Sequence, residues 1–143
     1  MDLFVYGTLL FPEVLTALLR RVPASRPASA VGWRVAALPA RPYPGLVPHP
    51  GGRASGLVIS GLDATETRLL DDYEHGGYER TEITLSDGRR CATYVWRGQA
   101  LPAGWQPDAF AAQHLDAYAR QCTRWRATWP VSSSTTTPPS GGT

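Results

Sequence analysis

Two short segments of this chain hold residue types that can do chemistry. One is the run Asp71-Asp72-Tyr73-Glu74, closed by the pair Gly76-Gly77; the other is the turn Gly7-Thr8-Leu9 that ends an apolar N-terminal run. A carboxylate partly sheltered from water titrates late enough to take and return a proton near neutrality. Taking about 100° per residue and a stripe centred on Leu69, Leu70 and Tyr73, Asp71 falls roughly 150° away, Asp72 roughly 105° and Glu74 roughly 95°. Glu74 thus flanks the buried face in the last helical turn, where the negative end of the helix dipole also raises its pKa. On the residues alone, a solvated helix-end glutamate is the ordinary reading of that position. Glu66 is accounted for as a helix cap, and Glu79 and Glu82 by pairing with arginines across strands.

Other chemistries find little support. The chain contains no G-x-G-x-x-G, no Walker A lysine motif, no H-E-x-x-H and no G-x-S-x-G, so phosphate-loop, zinc-protease and serine-hydrolase readings lose their main signal. His49, His75 and His114 are not spaced as ligands from one element, and no metal or cofactor is expected. Cys91, mid-strand behind Arg90, reads as a small buried hydrophobe rather than a nucleophile. With Cys122 far away in sequence, no disulfide framework is indicated.

Composition narrows the class. A chain of 143 residues, 43% hydrophobic and 18% charged, suits one globular domain. All 14 cationic side chains are arginines, scattered, for a net charge of +2, which makes nucleic acid an unexpected partner. No apolar run reaches about 18 residues, so no membrane span is expected, and the N-terminus lacks the basic flank and apolar stretch of a signal peptide. A cytoplasmic location is the resulting expectation, with the oligomeric state left open.

The elements that must position the two segments follow from periodicity and punctuation. Leu3 to Tyr6 predicts a short buried strand, and Pro12 to Arg21 a helix with the stripe Val14, Leu15, Leu18 and Leu19. Ser29 to Leu38 reads as a strand. Five prolines and three glycines between Pro39 and Gly52 predict an extended loop. Ala54 to Ser60 reads as a buried strand, after which Asp63 and Glu66 form a capping box for a helix ended by Gly76-Gly77. Asp87-Gly88 between Tyr78 to Ser86 and Arg89 to Arg97 predicts a hairpin. A last helix is expected from Pro107 to about Trp125. Residues 1–129 then form the domain and 130–143, rich in Ser, Thr, Pro and Gly, a disordered tail.

Taken in order, Phe4-Val5-Tyr6-Gly7-Thr8-Leu9, Tyr43-Pro44-Gly45-Leu46-Val47-Pro48, the strand with Gly56, and Leu70-Asp71-Asp72-Tyr73-Glu74 followed by Tyr78-Glu79-Arg80 resemble the γ-glutamylcyclotransferase-like family. That family also includes γ-glutamylamine cyclotransferases and plant avirulence-induced proteins. The resemblance covers roughly residues 1 to 125 and implies an α+β fold, a small mixed β-barrel flanked by helices. It implies that Glu74 matches the family's catalytic glutamate, and that the first loop and this glutamate face one cavity. The expected reaction converts a small γ-glutamyl amide into 5-oxoproline and free amine without a cofactor, the substrate's α-amine attacking its own γ-carbonyl. Glu74 would be base and then acid. Backbone N–H groups of Gly7, Thr8 and Leu9 would hold the oxyanion or the α-carboxylate. Tyr6 would lean toward the glutamyl group and Tyr78 close the cavity. Arg41 and Arg53 are candidates to meet an acidic leaving group. The alternative is a small-molecule-binding or interaction module that keeps the cavity without turnover.

Overall fold

The computed structural model describes residues 1–130 and 143. Among these, ten elements follow one another: strand β1 (Leu3–Val5), a 3-10 turn (Thr8–Leu10), helix α1 (Pro12–Leu19), strands β2 (Ser25–Ala36) and β3 (Gly45–Ile59), helix α2 (Ala64–Tyr73), strands β4 (Tyr78–Thr84) and β5 (Arg90–Trp96), and helices α3 (Pro107–Gln113) and α4 (Leu115–Thr128). The strands form one mixed sheet in the order β2-β3-β1-β5-β4. The short β1 lies in its middle, antiparallel to β3 (Leu3 opposite Ile59) and parallel to β5 (Leu3 opposite Ala92). Because side chains alternate across a strand, Leu3 and Val5 point into one apolar cluster, and Phe4 and Tyr6 into another.

The first cluster is roofed by the helices. The stripe Val14, Leu15, Leu18 and Leu19 of α1 is buried as its spacing requires, and it meets Leu69, Leu70 and Tyr73 of α2 and Tyr118, Cys122 and Trp125 of α4. The second cluster, including Leu46, Val58, Ile83 and Val95, fills the concave side of the curled sheet. The α+β class holds, while the barrel holds only loosely. The edge strands β2 and β4 are not laddered together, and the sheet stays open. Its edges touch just beyond β4, where Ser86 N–H donates to Ser29 O (2.9 Å) and the two hydroxyls lie 2.7 Å apart.

Two stretches depart from expectation for local reasons. The proline-rich stretch is loop only to Pro44, since β3 begins at Gly45 and pairs along β2 as Ala36 opposite Gly45 through Trp33 opposite Pro48. The ladder then skips His49 to Gly52 and resumes with Arg53 opposite Val31, so Pro50 sits in a bulge where no N–H is required. The last helix is two, broken at His114 (φ −130°, ψ −22°). The capping box and the hairpin stand where expected: Glu66 N–H donates to Asp63 Oδ1 (2.7 Å) and Asp63 N–H to Glu66 Oε1 (3.0 Å), and Tyr78 pairs with Trp96 through to Thr84 with Arg90. Of the tail, residues 131–142 lie outside the described residues. Thr143 is described and fully buried.

Candidate active site

Glu74 is set by the end of α2. The helix stops at Tyr73, and Glu74 caps it at φ −91°, ψ 10°, its N–H still donating to Leu70 O (2.9 Å). That half-turn rotates its side chain inward rather than along the flank, so Glu74 is 1% exposed instead of half-sheltered. Around the carboxyl stand hydroxyls and a thiol. The groups of Tyr6, Tyr73, Tyr94, Tyr118 and Cys122 are all raised, first by burial and further by the charge of Glu74. Tyr94 O–H is already spent on Asp71 (2.6 Å), which pairs with Arg80 (3.3 Å).

Burial pushes the Glu74 carboxyl up to about 8, opposed only by a hydrogen bond from Thr143. Desolvation of the charged form, not the helix dipole, is the dominant cause. Thr143 Oγ1 donates to Glu74 Oε1 (2.5 Å), while Oε2 is buried without a hydrogen-bond partner. A buried oxygen left so costs about 1–3 kcal/mol, and it marks a vacant acceptor on the side chain expected to take a proton.

The first loop supplies the opposite wall. β1 delivers the chain to Tyr6 and Gly7, after which the 3-10 turn swings away, Leu10 N–H donating to Gly7 O (3.0 Å). Two adjacent N–H groups are thereby freed from the sheet ladder and converge on a single oxygen: Tyr6 N–H and Gly7 N–H reach Thr143 O at 2.7 and 2.5 Å. The donor pair is thus Tyr6 and Gly7, whereas the sequence points to Gly7, Thr8 and Leu9. Thr8 uses its hydroxyl to meet Tyr73 O–H (2.9 Å), and Tyr73 in turn bonds Tyr118. This chain of hydroxyls ties the loop to α2 and α4. Leu9 is fully buried in the helix-side cluster.

Tyr6 contributes by its backbone, since its hydroxyl donates to Tyr94 O (2.7 Å) and its ring packs in the second cluster. Tyr78 O–H donates to Pro44 O (2.6 Å), and its ring rests 4.9 Å from that of Trp96, so it pins the proline-rich loop. Arg41 lies over Trp96 at 5.2 Å. Arg53 instead lines a separate cavity of about 430 Å³ with Ser29, Gly56, Ser86 and Asp87. Among the described residues, no three His, Cys, Asp or Glu side chains could hold a metal ion, and no helix is long and apolar enough to cross a membrane. Cys91 is buried and its thiol raised by that burial, the state of a packing residue.

Sequence reasoning missed the hydroxyl pair Tyr73 and Tyr118, both of which fall on apolar stripes whose periodicity reports burial but not what the polar tips touch. It also missed Thr143, for which no local pattern gives a signal.

One residue, Thr143, touches both walls at once. The two walls are thus one amino-acid residue apart, with two N–H donors on one side and the Glu74 carboxyl on the other. Comparison with known proteins gives the family. Residues 3–125 match the family model described as gamma-glutamyl cyclotransferase, AIG2-like. AIG2-like protein C of Arabidopsis thaliana is 38% identical over 106 residues, covering 71% of this chain and 62% of that protein; AIG2-like protein A of the same plant is 30% identical over 124 residues, 83% and 72%. A solution structure from Arabidopsis thaliana superposes with a TM-score of 0.65 at 27% identity, covering 89% of each chain. A structure titled gamma-glutamyl cyclotransferase superposes with a TM-score of 0.57 over 95% of this chain and 92% of its own, and at 15% identity it shares the fold alone.

Proposed function

From the chain's membership of the gamma-glutamyl cyclotransferase, AIG2-like family, we propose that it cleaves a small γ-glutamyl amide into 5-oxoproline and a free amine or amino acid. The observation that carries this reading is a buried carboxyl, pushed up to about 8 by desolvation, one residue's width from two convergent N–H donors.

The reaction needs no outside nucleophile. The α-amine of the glutamyl group attacks its own γ-carbonyl, and holding the chain folded draws on the large effective molarity of ring closure. The substrate arrives as an ammonium, and one proton must leave before the nitrogen pair can attack. Glu74 takes it. An α-amino group beside its own free carboxylate titrates somewhat above the roughly 7.7–8.0 of a peptide N-terminus, so transfer to a carboxyl at about 8 is only mildly uphill, whereas an ordinary glutamate would be far too weak a base. Carbon–nitrogen bond formation then moves the carbonyl electrons onto oxygen. The Tyr6 and Gly7 N–H groups hold one substrate oxygen, either the developing oxyanion or the α-carboxylate, and their fixed backbone needs no reorganisation to do so. When the γ-carbon releases the amine, Glu74 returns its proton to the departing nitrogen, and the ring nitrogen's second proton passes through the same carboxylate to the released amine, which leaves as an ammonium. The carboxyl ends as it began.

The test is to incubate purified protein with a panel of γ-glutamyl amides and follow 5-oxoproline. Release by wild type, abolished in Glu74→Gln while the fold persists by circular dichroism, supports the reading. Binding without release would make the chain a small-molecule-binding module, and an active Glu74→Gln would remove Glu74 from the mechanism.

A further inference from the structure

We propose that Thr143 is a built-in occupant of the site, a self-ligand that any incoming molecule must displace. Its backbone oxygen takes the two N–H donors of Tyr6 and Gly7, its hydroxyl takes Glu74, and nothing of it remains exposed. Three hydrogen bonds from one residue, all to the two segments that carry the chemistry, are not what random burial of a threonine gives.

The fold favours this occupant by proximity. Trp129, at the end of α4, donates its Nε1–H to Asp72 Oδ2 (2.7 Å), which anchors the start of the following segment two residues from Glu74. A ligand carried on the same chain as its site binds intramolecularly, so even weak contacts keep it seated. The contacts are of the displaceable kind. Thr143 offers Glu74 a neutral hydroxyl and leaves Oε2 without a partner, whereas an ammonium would supply charge-assisted donors about twice as strong. A cationic amine with an oxygen for the N–H pair therefore outcompetes Thr143, and a neutral molecule does not.

The competition clause rests on the cyclotransferase reading; the occupancy clause does not, and two readouts separate them. In the full-length chain, Thr143→Ala removes the hydroxyl, and Thr143→Asp places a carboxylate against Glu74. The amide resonances of Tyr6 and Gly7 and the titration of Glu74 should shift between wild type and both variants. Unchanged resonances in both would overturn the occupancy whatever the activity. With γ-glutamyl amide as substrate, displacement of a competitor predicts a several-fold lower KM at unchanged kcat, more so for Thr143→Asp. Shifted resonances with an unchanged KM would overturn the competition. Absence of 5-oxoproline from every variant would sink the cyclotransferase reading and leave the resonances to decide occupancy alone.

Discussion

Glu74→Gln should uncouple the stability of this protein from pH. In the folded chain Glu74 keeps its proton up to about pH 8, against 4.5 for an ordinary glutamate. Between these values the native state binds more protons than the unfolded chain, so wild-type stability falls as pH rises; the loss begins above 4.5 and is complete once pH passes about 8. At 1.36 kcal/mol per pH unit the ceiling is roughly 5 kcal/mol, reduced by whatever relaxation lets water reach the charged form. Glutamine keeps the size and the acceptor for Thr143 but cannot ionise. At pH 5 the two proteins should therefore have similar unfolding free energies, and by pH 9 the variant should be the more stable by a few kcal/mol. Urea titrations followed by tryptophan fluorescence at pH 5 to 9 measure the difference directly. Parallel curves for wild type and variant would refute the argument that Glu74 is desolvated without a counter-ion.

Two further outcomes follow from the same geometry. Productive binding needs one proton shared between Glu74, titrating at about 8, and the substrate α-amine, titrating at or above that, so kcat/KM should trace a bell centred at or above pH 8; a profile flat down to pH 6 would exclude Glu74 as the titrating base. Gly56→Ala should destabilise by about 1–3 kcal/mol and raise KM, because a Cβ there would lie 2.1 Å from Val5 O and push on the strand that presents Tyr6 and Gly7. Urea midpoints and steady-state kinetics check both effects, and an unchanged midpoint would count against the close approach.

Legibility in the sequence tracked how local each cause is. The Asp63–Glu66 capping box and the Asp87-Gly88 hairpin are decided by residues within a few positions of each other, and both stand as expected. The entry of β3 at Gly45 was hidden because prolines argue against a strand unless the partner register is known, and the bulge opposite Gly32 that tolerates Pro50 is a property of two strands together. The helical wheel puts Glu74 on the flank of its helix, whereas the structure makes it the cap and buries it, an outcome that depends on the capping rotation and on packing by elements distant in sequence. The choice of Tyr6 and Gly7 as the converging amides depends on where β1 ends and the 3-10 turn begins, a boundary that propensities resolve only to a residue or two.

The placement of β1 carries a consequence for how the chain matures. This three-residue strand is synthesised before its partners, which lie at Leu57 to Ile59 and at Ala92. Pairings so distant in sequence are slow to close. The N-terminal segment must therefore wait through synthesis of most of the domain before it can lock in place. The strand that presents the Tyr6 and Gly7 amides is thus fully paired only once β5 has emerged.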